Sequence, residues 1–101
     1  MATYITLIRF TEQGVKNYRK SPERAAAFEA AAEKAGAKVR VVYWTLGDYD
    51  GVVLFDAPDE ETATSLMLAL AAQGNVQTTT LRAFDAREMK AIADKAAKIK
   101  L

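Results

Sequence analysis

The chain contains no cysteine and no histidine among its 101 residues. Without cysteine there is no disulfide framework, no thiolate zinc site, no iron–sulfur cluster and no thiol nucleophile. Without histidine the usual proton shuttle near neutral pH and the commonest transition-metal and haem ligand are gone, leaving Asp, Glu, Lys, Arg and Tyr for polar chemistry. The expectation is a domain with no metal and no cofactor. Charge of one sign is not in excess either: 14 Lys and Arg stand against 13 Asp and Glu, for a net charge of +1. The two signs are interspersed, which argues against nucleic acid or an anionic membrane as the partner. No run approaches the ~20 apolar residues of a membrane span, and the N-terminus lacks the basic start and apolar middle of a signal peptide. A cytoplasmic protein is expected, built as one domain over residues 1–101.

What is present is a clear alternation of strand and helix signals. Tyr4, Thr6, Ile8 and Phe10 alternate with Ile5, Leu7 and Arg9 across Thr3 to Phe10, a period of two rich in β-branched and aromatic residues. Thr11 to Lys20 is polar and reads as a connector. Ser21-Pro22 reads as an N-cap followed by proline at the first helical position, so a helix is expected from Pro22 to Ala35, closed by Gly36. Lys38 to Leu46 and Gly51 to Asp56 concentrate Val, Tyr, Trp, Leu and Phe around a short glycine-bounded turn, the pattern of an antiparallel hairpin. Pro58-Asp59 opens a second helix carrying Ala63, Leu66, Met67 and Leu70, closed by Gly74-Asn75. Val76 to Phe84 returns to strand chemistry. Asp85 with Glu88 three positions on resembles a reciprocal cap opening a short, peripheral last helix.

The order β-α-β-β-α-β plus a terminal helix matches an α+β, ferredoxin-like sandwich: a four-stranded antiparallel sheet with both main helices on one face. Large apolar residues at consecutive positions, such as Tyr43-Trp44 and Leu54-Phe55, imply that the second face also needs cover. Leu68 and Ala72 add an apolar flank to the second helix, away from its Leu66 and Leu70 stripe. Self-association is the economical cover, so a homo-oligomer is expected. Stacked sheets across a two-fold axis give a dimer, and the extra flank leaves room for a trimer or hexamer.

Gly47, Tyr49 and Asp50 stand as Gly-x-Tyr-Asp in the hairpin turn, and Thr11 to Gly14, Ser21 to Arg24, Ala57-Pro58-Asp59, Gly74-Asn75-Val76 and Thr80 to Phe84 accompany it. With these spaced matches the chain resembles the GYD-domain family over nearly its whole length. The resemblance implies a ferredoxin-like domain of the dimeric α/β barrel group and names no reaction. The alanine-rich helix, with Ala25 to Ala27 and Ala30 to Ala32, is plainer than expected of a natural member, and an engineered or consensus version is the alternative.

Several residues are candidates for chemistry. Asp48, Tyr49 and Asp50 bring two carboxylates and a phenol into one turn, as an acid/base pair at a cavity mouth; turn formation alone also explains the aspartates. Lys16, Arg19, Lys20 and Arg24 gather at the start of the first helix, as an anion site or as a plain basic loop. Tyr4, Thr6, Tyr43, Trp44, Thr78, Thr80 and Arg82 either line a pocket between stacked sheets or pair across strands. Arg82 needs a partner, for which Asp48, Asp50, Asp56 or a ligand carboxylate would serve. Two functional readings follow. One is a homo-oligomeric module of no assigned reaction that binds a small aromatic or acidic metabolite at its sheet interface, through Tyr43, Trp44, Tyr49, Asp50 and Arg82. The other is a cofactor-independent isomerase or monooxygenase, resting on analogy of fold, with Asp50 or Asp48 as base and Tyr49 or Arg82 facing the oxyanion.

Overall fold

Strand β1 (Ala2–Phe10) occupies an interior position in the sheet, because its alternating side chains are apolar on both faces. The computed structural model describes all 101 residues, Met1–Leu101. After β1 come α1 (Glu12–Lys16), a 3-10 turn (Tyr18–Lys20), α2 (Ser21–Lys34), β2 (Lys38–Trp44), β3 (Gly51–Ala57), α3 (Glu60–Ala72), β4 (Val76–Ala83) and α4 (Ala86–Ala96). The four strands form one sheet in the order β2-β3-β1-β4, every neighbouring pair antiparallel. This is the expected ferredoxin-like α+β plan with a C-terminal helix.

The sequence expectation of a plain polar connector after β1 needs correction. Thr11 accepts a hydrogen bond from the Gly14 N–H at 3.0 Å and so caps α1, whose Glu12 and Lys16 pair at 3.3 Å. Gly14 in this short helix presses on the turn before β4. A Cβ there would meet the Asn75 carbonyl oxygen at 1.8 Å, so only glycine fits. Around that contact Thr11 donates from its N–H to Asn75 O at 3.1 Å and from Oγ1 to Gly74 O at 2.6 Å. Gln13 Nε2 donates to Gln73 O at 3.1 Å and to Asn75 Oδ1 at 2.9 Å. The Thr-Glu-Gln-Gly and Gly-Asn segments are thus two halves of one clamp. Ser21 is also not the cap of α2. The 3-10 turn runs straight into the helix, which frees the Ser21 hydroxyl to accept from the Trp44 indole N–H at 3.2 Å.

Register decides which residues share a face. Tyr4 lies opposite Phe55 and Arg82, Thr6 opposite Val53 and Thr80, and Ile8 opposite Gly51 and Thr78. This face carries α2 and α3, whose Ala32, Ala63 and Leu66 complete a core with Tyr4, Val53 and Phe55. Tyr4 and Phe55 stack with ring centroids 5.3 Å apart. Thr6 is fully buried, and its hydroxyl lies 3.0 Å from that of Thr80 and donates to the Met67 sulfur at 3.3 Å. A bulge between Val39 and Val41 inserts Arg40 into β2, which sends Val39 to the helix side and Val41 to the other. The opposite face collects Ile5, Leu7, Val41, Tyr43, Val52, Leu54 and Leu81, with Tyr43 64% and Leu81 47% exposed. It has no helix layer of its own.

Helix α4 opens on a reciprocal cap, as expected: Glu88 N–H donates to Asp85 Oδ1 at 2.8 Å and Asp85 N–H to Glu88 Oε1 at 3.1 Å. None of its residues is buried. The radius of gyration is 15.6 Å, with extents of 51 × 31 × 20 Å, against about 13 Å expected for a compact chain of this length. No helix is long and apolar enough to cross a membrane.

Candidate functional site

The turn between β2 and β3 is tied to the end of β1 by side chains and backbone together. Thr45 donates its N–H to Asp50 O at 3.0 Å and its hydroxyl to Tyr49 O at 2.6 Å, which ends β2 at Trp44 rather than at Leu46. Gly47 has φ +117°, a conformation open to glycine and strained for other residues. Asp50 N–H donates to Ile8 O at 2.7 Å, and Asp50 Oδ2 accepts from Phe10 N–H at 2.8 Å, so the carboxylate extends the ladder where the strand's own carbonyls have run out. Arg9 Nε donates to Asp48 O at 2.9 Å while its guanidinium lies 4.7 Å from the Tyr49 ring centroid. Within the chain, Asp50 and Tyr49 therefore serve as fasteners of the hairpin. Gly51, which closes the turn, is fixed by close approach: a Cβ would lie 3.1 Å from Tyr43 O.

Beside this turn, on the helix side, α2 and the end of α3 leave a cleft with ≈ 610 Å³ of space, its open mouth included. The small alanines of α2 let it form. Ile8, Phe10, Phe28, Leu70 and Val76 make it apolar, and Ser21, Arg24, Asp50, Gln73 and Asn75 supply polar atoms. Trp44 and Asp50 meet here, and Tyr43 adjoins the cleft while its register turns the side chain to the open sheet face. Tyr49 reaches the other side of the turn, against Arg9.

Arg82 stands apart from these four. It lies opposite Tyr4, whereas Asp50 bonds at Ile8 and Phe10, some five residues along β1, or roughly 16 Å at ~3.3 Å per residue. Its partner is none of the aspartates expected. Arg82 donates to Thr3 O at 3.3 Å, to Ala83 O and to Glu88 Oε2 at 3.4 Å, and its guanidinium lies 4.5 Å from the Phe84 centroid and 5.7 Å from that of Tyr4. Asp56 pairs instead with Arg40 at 3.6 Å and accepts from Thr3 Oγ1 at 2.7 Å. Asp50 and Arg82, one base and oxyanion pairing that the isomerase or monooxygenase reading offers, are thus held about half the length of β1 apart.

Two of the four basic loop residues are engaged within the chain, and Arg19 and Lys20 stay exposed. Arg24 donates to Asn17 O at 3.0 Å and Gly14 O at 3.5 Å, and Lys16 pairs with Glu12. Of the strand residues read as pocket liners, Tyr4, Thr6, Trp44, Thr78, Thr80 and Arg82 turn toward the helices, and Tyr43 turns toward the open sheet face. Residues that sequence reasoning did not single out, Ile5, Leu7, Val41 and Val52, share that face with Leu54 and Leu81. Their alternation with core residues was the available signal. The Arg40 bulge, which places Val41, gives none.

Comparison with known proteins places these features in a family. A protein named glutamine synthetase and cystathionine beta-lyase binding protein, from Thermus thermophilus, is 36% identical over 90 residues, covering 88% of this chain and 95% of its own. The crystal structure of TTHA0845, also from Thermus thermophilus, matches with a TM-score of 0.56 and 28% identity, over 85% of this chain and 96% of that one. The family model described as GYD domain matches residues 4–93, a span that takes in the clamp of α1, the hairpin turn and most of α4. On that match the chain belongs to the GYD domain family.

Proposed function

We propose that this protein is a non-catalytic, self-associating binding module that docks on metabolic enzymes. The observation that carries the reading is the apolar sheet face of Ile5, Leu7, Val41, Val52, Leu54 and Leu81, left without a helix layer. Burying several hundred Å² of such surface on each of two copies is worth on the order of 10 kcal/mol gross, comparable with the cost of association. Two copies stacked face to face across a two-fold axis cover each other's sheets. The relative named for binding glutamine synthetase and cystathionine beta-lyase gives the class of partner. The hydrogen bonds that occupy Asp50, Arg24 and Arg82 within the fold favour recognition over catalysis.

The test is a titration of the full chain against purified glutamine synthetase and, separately, cystathionine beta-lyase, followed by sedimentation velocity with serum albumin as the control. Saturable co-sedimentation with either enzyme, weakened by Leu54→Asp, is the expected result. Absence of binding to both at tens of micromolar would remove the reading.

A second reading, a small aromatic or acidic metabolite, is favoured by the meeting of Trp44 and Asp50 at the apolar cleft. Trp44 is the one tryptophan of the chain and reports on that cleft directly. Phenylacetate should shift its emission saturably. An unchanged spectrum at millimolar ligand argues against an aromatic acid there.

A further inference from the structure

Ser21 is a buried hydroxyl whose own proton has no acceptor in the chain. It opens α2 on the wall of the apolar cleft, is 7% exposed, and accepts from the Trp44 indole N–H at 3.2 Å. A helical serine ordinarily gives its proton to the carbonyl four residues earlier, here that of Asn17. That carbonyl is already taken: Lys20 N–H donates to it at 3.0 Å and Arg24 Nη1 at 3.0 Å, which fills both lone pairs. The Ser21 O–H is left for whatever enters the cleft it lines. A buried donor without a partner is costly, so the cleft favours a ligand that brings an oxygen to it.

Charge sets the second half of that ligand's chemistry. Arg24 and Asp50 are the only charged residues lining the cleft, and they cancel. Both are also engaged: Arg24 holds the Asn17 and Gly14 carbonyls, and Asp50 accepts from Phe10 N–H. A ligand carboxylate would lose its hydration in an apolar cleft and meet no uncommitted cation there. An uncharged ligand escapes that cost. The body of the ligand follows from the rings that line the cleft, Phe10, Phe28 and Trp44, of which Trp44 is still 49% exposed and leaves surface for a flat partner to cover.

We infer that the cleft takes an uncharged aromatic molecule carrying an acceptor oxygen, such as an aryl ketone, held by the Ser21 O–H with the Trp44 N–H behind it. Because the indole donates into the hydroxyl, it strengthens the hydroxyl's own donation, so the two bonds act as one chain toward the ligand oxygen. This ligand class rests on the small-molecule reading above and narrows it, placing neutral aromatics ahead of aromatic acids.

The chain has one tryptophan, so its single indole N–H signal in ¹H–¹⁵N correlation spectra of the full chain reports on the Ser21 contact. Acetophenone, phenylacetate and ethylbenzene are titrated separately at neutral pH. Acetophenone should move the signal saturably and bind at least about tenfold more tightly than phenylacetate, which must shed its hydration. Ser21→Ala should weaken acetophenone at least about fivefold and leave ethylbenzene, which has no oxygen to accept, at its parent affinity. Equal weakening of both, or of neither, would overturn the Ser21 contact, since a collapsed cleft affects the two alike. The comparison of ketone with acid uses the parent chain alone. Phenylacetate binding as tightly as acetophenone would overturn the neutral class while the small-molecule reading stands; a signal that none of the three moves at millimolar concentration would take that reading down as well.

Discussion

Gly14 and Asp50 show how far a residue's role depends on contacts that the sequence does not display. Gly14 reads as a loop glycine until its neighbour is seen: the space a methyl group would occupy belongs to the Asn75 carbonyl. Gly14→Ala should therefore force α1 off the α3–β4 turn and cost about 3 kcal/mol, since overpacking against backbone cannot relax by a rotamer change. Thermal melting falling by roughly 10 °C or more is the expected reading. A loss within about 0.5 kcal/mol would show that the clamp opens without penalty. For Asp50 the substitutions to compare are Asn and Ala. Asparagine keeps an oxygen for the Phe10 N–H, whereas alanine leaves that part-buried donor unpaired, at a cost of about 1–3 kcal/mol. Urea unfolding should rank Asp50→Ala clearly below Asp50→Asn. Equal losses would assign the carboxylate's charge, rather than its acceptor, as the stabilising feature.

At the scale of elements, the strand and helix order was legible because each segment carries its own period and its own punctuation. Gly36 with φ +87° ends the α2 segment, and Asp85 with Glu88 opens α4, both as their sequence positions imply. The short α1 was not legible, because a five-residue helix holding a glycine has no periodicity to detect; its stability comes from the clamp. Faces were harder still. A one-residue bulge at Arg40 reverses the side to which Val41 and Tyr43 point, and nothing in Lys-Val-Arg-Val-Val-Tyr-Trp announces it. For Arg82 the sequence offers an aspartate or a ligand carboxylate as partner, whereas the carboxylate that meets it is Glu88, in the next element. The start of α3 carries a pH dependence of its own. Asp59 caps it by accepting from Thr62 N–H at 2.7 Å, and that bond, with a further contribution from the Thr62 side chain, holds its pKa below the ordinary 3.8. A depressed carboxylate adds stability that is complete above its unfolded pKa and is lost as pH falls through the folded one. Melting temperatures followed from about pH 5 to pH 2 should thus drop less steeply for Asp59→Asn than for the parent chain. Parallel curves would mean that the cap contributes nothing through its charge.

For the molecule as a whole the question is whether a lone chain is a stable species. Its buried core is small and made largely of alanines around Tyr4, Val53, Phe55 and Leu66, while Leu54, Leu81, Leu68, Met89 and Ile92 remain partly or wholly in contact with water. Large apolar side chains left outside the core are what the proposed pairing of copies would cover. Under the self-association proposed above, folding and association are one equilibrium, and mass action makes apparent stability depend on protein concentration. Melting temperature should rise with each tenfold increase in concentration across the micromolar range, whereas a monomer melts at one temperature throughout. Leu54→Asp supplies the internal control. Aspartate on the open face sits among Ile5, Val41 and Leu81, so stacking a second sheet over it buries an unpaired charge at a cost of several kcal/mol, while in the lone chain it faces water. The variant should be monomeric by light scattering and should lose the concentration dependence. If its mass and its melting curve match those of the parent, the open face is not where copies meet, and the apolar surface there must be assigned to the enzyme partner instead.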